Sequence, residues 1–237
     1  MKTEKVFHRD QYLKTLEATI TDIIISKDRA EIITDKTVFF AEGGGQPGDR
    51  GTIFLSADNT KAVAIYDTHD SSDAVAHYTK DEVPFAIGDV VILELDWTFR
   101  FTNMQRHYGE HILSGAIYKL YKGANKGFHM GQNYITIDID LGGELMTPEM
   151  LEEAETLANE AVWKNLPIQA HHFDSVEAAN DMPLRKAVNE KVDGNVVIVT
   201  VGDPKEPFDC CACCGTYPAM SGEVGIIKIF KAEPNKG

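Results

Sequence analysis

The chain has 237 residues, 43% hydrophobic and 25% charged, enough apolar material for one large or two small folded domains and not the composition of a disordered chain. Its formal charge of −14 counts against non-specific binding to a polyanion, since nucleic-acid binders neutralise phosphates with a basic face. Only local clustering of residues such as Arg100, Arg106, Lys119, Arg185 and Lys186 would reverse that. The N-terminal segment mixes charge into every turn and no later stretch is long enough to cross a bilayer, so a cytoplasmic protein is expected.

From about residue 14 to residue 96 the sequence runs as short β-branched segments, TLEATITDIIIS, AEIITDKTVFF, GTIFL, KAVAIYD and VVILELDW, separated by charged or glycine-containing turns. This predicts a small antiparallel β-barrel domain over residues 1–97. Within it, AEGGGQPGDRG places Gly43, Gly44 and Gly45 before Gln46. Three glycines free the backbone to approach a ligand, and the glutamine amide both donates and accepts; a tight turn between strands explains such a cluster equally well.

After Asp96 the pattern changes. Met104, His107, Tyr108, His111, Ile112 and Gly115 recur at three and four, which predicts a helix over residues 102–121 and a domain boundary near Trp97. The strand YITIDIDL follows, then a helix from an N-cap at Thr147, with Pro148 at the first helical position, to about Asn165. PIQAHHF reads as a strand, SVEAAND as a short helix, and NVVIVTVG and VGIIKIFK as strands flanking a cysteine loop. Residues 98–237 therefore form an α+β domain with helices on an antiparallel or mixed sheet, and the chain as a whole is α+β.

His107 and His111 lie one helical turn apart on one face, a spacing that can bind a single metal ion. All four cysteines, Cys210, Cys211, Cys213 and Cys214, fall within five positions. That is a poor distribution for stapling a secreted fold and an improbable way to fill a core, but it suits zinc, which prefers thiolates with imidazoles.

Four segments, DKTVFFAEGGGQPGDRG at 35–51, MQRHYGEHILSG at 104–115, MPLRK at 182–186 and CCGTYPAMSGEVGIIKI at 213–229, resemble the alanyl-tRNA editing proteins and the editing domain of alanyl-tRNA synthetase. The resemblance covers nearly the whole chain. It implies a zinc site made by a His-x-x-x-His helix and a later Cys-x-x-x-His loop, at positions matching His107, His111, Cys213 and Tyr217. Tyr217 departs from the family's histidine, and a phenol with a pKa near ~10 is a poor zinc ligand. A rearranged site is expected, with water or a thiol such as Cys210 or Cys214 in the fourth position; loss of the metal is the alternative. The resemblance also implies trans-editing: hydrolysis of the ester in mischarged tRNA(Ala), typically Ser-tRNA(Ala), engaged by its acceptor end. Thr37 would read the side-chain hydroxyl, Gln46 would hold the ester or terminal ribose, and the Gly43, Gly44 and Gly45 amides would steady charge on the carbonyl oxygen. A homodimer is compatible with this.

Two rivals stand beside it. HYGEH matches the His-x-x-Glu-His helix of inverzincin metallopeptidases, with Glu110 as general base and a third ligand among the glutamates of EMLEEAE. The other is a metal-free relative that binds RNA or protein.

Overall fold

The computed structural model describes residues 2–188 and 196–234, so Asn195, which opens the expected strand NVVIVTVG, lies outside the described residues. The chain divides into two compact units, Met1–Asn103 and Met104–Gly237. No helix among the described residues is long and apolar enough to cross a membrane.

The first unit contains β1 (Glu4–Lys5), β2 (Thr15–Ile25), β3 (Ala30–Thr34), β4 (Lys36–Thr37), β5 (Gly51–Leu55), β6 (Asp58–Ile65), β7 (Asp67–Ser71), β8 (Ala74–Thr79) and β9 (Val90–Leu95). Seven of them form one antiparallel sheet in the order β6-β5-β9-β2-β3-β8-β7, and β1 pairs in parallel with β4. Alternation along β9 turns Val91, Leu93 and Leu95 inward onto Ala18, Ile20, Ile32, Ile53, Val63 and Phe39, which form the core of this unit. The expected barrel is not closed among the described residues. The outer strands β6 and β7 follow one another through Tyr66, but no ladder joins them, and the Tyr66 N–H donates to the Tyr78 carbonyl on β8 instead.

Helix α1 (Trp97–Tyr121) starts earlier than residue 102, because Asp96 caps it: the Phe99 N–H donates to Asp96 Oδ1 at 3.0 Å. Its first turn carries Arg100, whose guanidinium is fully buried against the fully buried carboxylate of Asp49. Arg100 Nε donates to Asp49 Oδ1 and Oδ2 at 3.0 and 2.8 Å, and Nη2 donates to Asp49 and to the Val38 carbonyl at 2.7 Å. Asp49 Oδ2 also accepts from the Phe40 N–H at 2.6 Å. One ion pair thus fixes the loop that carries Phe39 and Phe40 and leads into the glycine cluster. There Gly43 and Gln46 exchange backbone hydrogen bonds of 3.1 and 3.0 Å around Gly44 and Gly45. Both central residues have positive φ, 57° and 80°, which is why glycines stand there.

Fully buried His77 on β8 completes the polar interior of this unit. Its Nδ1–H donates to the Ile32 carbonyl at 2.8 Å, so in the neutral ring Nε2 is an acceptor and takes the Thr37 hydroxyl proton at 2.8 Å. Burial drives the His77 pKa down to about 4 from 6.5.

The second unit holds the rest of α1, the hairpin β10 (Ala124–Met130) and β11 (Ile135–Asp140), α2 (Pro148–Trp163), β12 (Ile168–Phe173), α3 (Val176–Asn180), β13 (Val196–Val201) and β14 (Asp209–Ala212). Thr147 caps α2 as expected, accepting from the Met150 N–H at 3.3 Å. β12, β13 and β14 make an antiparallel sheet, and Ile112, Ala116, Ala158, Val162, Ile168, Val199 and Val201 form a core between sheet and helices. VGIIKIFK is not a strand. It runs along α2, where Asn159 Nδ2 donates to the Ile227 carbonyl at 2.8 Å, Asn159 Oδ1 accepts from the Ile227 N–H at 3.0 Å, and Glu155 accepts from the Ile229 N–H at 2.7 Å. Side chains of a helix have taken the place of a neighbouring strand.

Removing one partner of a buried ion pair strands the other charge, so Asp49→Ala is expected to cost about 3–5 kcal/mol, measured as the shift in denaturant midpoint. A cost below about 1 kcal/mol would show that the Arg100 charge is satisfied without Asp49. His77 is neutral when folded and titrates near its usual pKa when unfolded, so the unfolded chain binds the extra proton as pH falls. Its contribution is whole above pH 6.5 and shrinks by up to about 3 kcal/mol between pH 6.5 and about 4. Denaturation midpoints recorded across that window should fall with pH, and His77→Gln should flatten the slope.

Candidate metal centre

Near the middle of α1, His107 and His111 stand one turn apart, their ring centroids 5.1 Å from each other. Both are buried, and His107 stacks on Phe128 of β10 at 5.4 Å. The third member arrives from 106 positions further along: Cys213 Sγ lies 3.6 Å from His107 Nε2. One ligand atom each from His107, His111 and Cys213 falls within 4.8 Å of the others.

β14 explains why Cys210 is turned away. It pairs with β13 in the register Val201↔Asp209 to Ile198↔Ala212, so residues alternate between its two faces. Cys210 faces away, into a separate apolar cluster with Ala179, Val188, Val196 and Ile198, and burial pushes its thiol up to about 12. Recruitment of Cys210 as a ligand is therefore excluded by register, and Cys214 is exposed. Asp209, two positions along the alternation from Cys211, turns towards α1. Gly115 lets it come close, because a Cβ there would meet Asp209 Cβ at 3.0 Å and the Phe208 carbonyl at 3.2 Å.

Asp209 organises the centre from behind. Its buried carboxylate lies 3.1 Å from His111 Nδ1 and accepts from Arg185 Nε at 2.7 Å. This fixes the His111 tautomer and leaves Nε2 to face the other donors. Arg185, from the MPLRK segment, also uses its backbone N–H on the Cys210 carbonyl at 2.8 Å. Neither Asp209 nor Arg185 was singled out as a site residue in the sequence; Arg185 stood in a resembling motif without a role, and Asp209 had no signal at all.

The electrostatics fit a divalent cation. Burial opposes ionisation of Cys213, yet the charges and hydrogen bonds of His107 and His111 outweigh it and hold the thiol well below its usual range. Burial likewise opposes charge on His111, and Cys213, Glu110 and Asp209 outweigh that. The Cys213 thiolate and the positive charge favoured on His111 thus stand together in this group, and a cation bound there would take the place of the His111 proton beside the thiolate. Two imidazoles and a thiolate are donors that zinc accepts. Tyr217 is placed beside this group, its ring 5.4 Å from that of Tyr108 and packed in the apolar cluster that includes Cys213. Among the described residues no glutamate of α2 joins His107 and His111, and the third donor grouped with them is Cys213.

The remaining expected residues lie in the first unit. Thr37 is fully buried; its hydroxyl donates to His77 Nε2 and accepts from the Phe39 N–H at 3.0 Å, which leaves one lone pair unassigned. Gln46 is also fully buried, and its backbone closes the glycine turn. Because Gly43 N–H is spent on the Gln46 carbonyl, only Gly44 and Gly45 remain to supply amide donors from that loop.

Comparison with known proteins places this geometry. The family model described as tRNA synthetases class II (A) matches residues 6–99. The chain is 37% identical over 230 residues to the alanyl-tRNA editing protein AlaX-L of Pyrococcus horikoshii, an alignment covering 96% of this chain and 54% of that protein. It is 31% and 32% identical over 239 residues to the alanine–tRNA ligases of Pyrobaculum calidifontis and Pyrobaculum arsenaticum, covering 98% of this chain and 25% of each ligase. The chain thus spans about half the length of the editing protein and a quarter of the ligases. With the His-x-x-x-His helix and the Cys213 loop meeting in space and the likeness running through almost every residue, the chain belongs to the alanyl-tRNA editing family.

Proposed function

We propose that this protein is a trans-editing aminoacyl-tRNA hydrolase that removes serine from mischarged tRNA(Ala) in the cytoplasm, using a zinc ion held by His107, His111 and Cys213. The observation that carries the reading is the meeting of two histidines from one motif with a cysteine from another, 106 positions away, in a chain of this family. When bound, zinc supplies Lewis-acid polarisation of an ester carbonyl or acidification of a water. The protein's own residues prepare for it. Asp209 holds the His111 Nδ1–H so that Nε2 is presented, and Arg185 balances the Asp209 charge. Tyr217 packs against the same apolar cluster as Cys213, and the fourth position would go to water or substrate.

Discrimination falls to Thr37. With its hydroxyl proton given to His77 and one lone pair taken by Phe39 N–H, the oxygen can only accept, and the group it would accept from is a substrate hydroxyl such as that of serine. Alanine offers none. Gln46 and the Gly44–Gly45 turn would engage the ester and terminal ribose.

Protein purified without chelators is expected to carry about one equivalent of zinc by elemental analysis, lost in Cys213→Ala and in His107→Ala. It should release serine from Ser-tRNA(Ala) and spare Ala-tRNA(Ala). A wild-type chain that neither carries nor takes up metal would favour the metal-free binding relative instead. Thr37→Val should reduce the ratio of kcat/KM for Ser- over Ala-tRNA(Ala) by about 10–100-fold, with Thr37→Ser retaining it. Being a ratio, it is insensitive to the folded fraction, which matters because the valine also strands His77 Nε2 and the Phe39 N–H at a cost of roughly 2–4 kcal/mol. An unchanged ratio would move the reader elsewhere.

A further inference from the structure

Glu110 is buried on α1 beside the metal-centre residues, where it favours charge on His111, and nothing in the proposed hydrolysis uses its second oxygen. Its two oxygens are treated differently. Oε1 accepts from the Ser114 hydroxyl at 2.6 Å and from Asn125 Nδ2, and Asn125 donates to Ser114 Oγ as well at 2.9 Å, so this oxygen ties α1 to β10. Oε2 lies 4.0 Å from His111 Nε2, the nitrogen that Asp209 leaves facing the other donors.

A structural tie needs only Oε1. The amide of a glutamine would accept from Ser114 and Asn125 just as well, without the cost of a desolvated negative charge. Nor is the charge needed to orient His111, since Asp209 already does so on the opposite nitrogen. What remains for Oε2 is to act on something lodged next to the ligand atoms. In a hydrolysis, that is a water.

We propose that Glu110 is a catalytic residue, the base whose Oε2 takes a proton from the attacking water in the deacylation inferred above, on which this inference rests. The water oxygen bonds to the ester carbonyl carbon as its proton passes to Oε2. Collapse of the tetrahedral intermediate breaks the bond from that carbon to the ribose oxygen, and the proton on Oε2 is delivered to that oxygen. The products are the free amino acid and a tRNA with its terminal hydroxyl restored; Glu110 is regenerated as the carboxylate. Ser114 and Asn125 are positioning residues that hold Oε1 so that Oε2 points at the reacting atoms.

The test uses the whole chain with its metal, comparing wild type, Glu110→Gln and Ser114→Ala for metal content, thermal midpoint and kinetics on Ser-tRNA(Ala). Glu110→Gln keeps the Oε1 acceptor, so metal content and midpoint should match wild type, while kcat falls about 100–1000-fold and KM moves less than about threefold. Ser114→Ala leaves the carboxylate in place and should lose only about 3–10-fold in kcat. The proposal is overturned if Glu110→Gln turns over at the wild-type rate, if it loses its metal, or if both variants lose activity in step with their midpoints, which would make the cluster a structural tie alone. A wild type that cleaves no aminoacyl-tRNA would instead reject the editing reading itself, and the base with it.

Discussion

Helix α1 buries Arg100, His107, Glu110, His111 and Ser114, a costly desolvation that partners offset at these five positions, while Asn103 Nδ2 and the Tyr108 hydroxyl on the same helix are buried without a hydrogen bond. Much of the surrounding structure answers that demand. Asp49 meets Arg100, Asp209 and Cys213 meet the imidazoles, and Asn125 joins Ser114 on Glu110. These partners come from distant parts of the sequence: within the first unit Arg100 fixes the loop that leads into the glycine turn, and within the second unit the later turns fix β10 and β14.

The centre has the layered construction expected of a metal site. His111, one of the three candidate donors, is held by Asp209, which Arg185 holds in turn. With a divalent cation in view, Asp209 both sets the tautomer and raises the basicity of His111. The departure at Tyr217 fits this pattern. Its ring packs on Tyr108 and against the apolar cluster that includes Cys213.

Periodicity gave the long elements because one face of each is apolar: α1, α2, β2 and β9 were all readable, and Thr147 announced the start of α2. β7 was hidden because DTHDS carries almost no hydrophobic side chain, and β10 because ANKGFHM gains its strand character only from pairing with β11. The opposite error occurred at VGIIKIFK, whose β-branched residues satisfy any extended conformation but whose backbone partners turned out to be Asn159 and Glu155 on a helix. The barrel failed for a related reason. Strand order is a long-range property, and nothing in the residues of β6 and β7 says whether their edges pair.

The sequence by itself determined the chemistry of the donor residues. His107 and His111 share a helical face because a turn is 3.6 residues long, and the cysteine cluster marks the segment from which a thiol could join them. Tertiary structure decided which thiol faces the histidines, since the two-residue period of β14 turns Cys210 away, and Cys213 lies beyond that strand on the side of the imidazoles. It also decided that Asp209 and Arg185 stand behind His111, that Glu110 presents one oxygen to the centre, and that the Thr37 hydroxyl donates its hydrogen bond to His77. Those outcomes depend on pairing register and on hydrogen bonds closed between residues far apart in the chain, which local spacing does not encode.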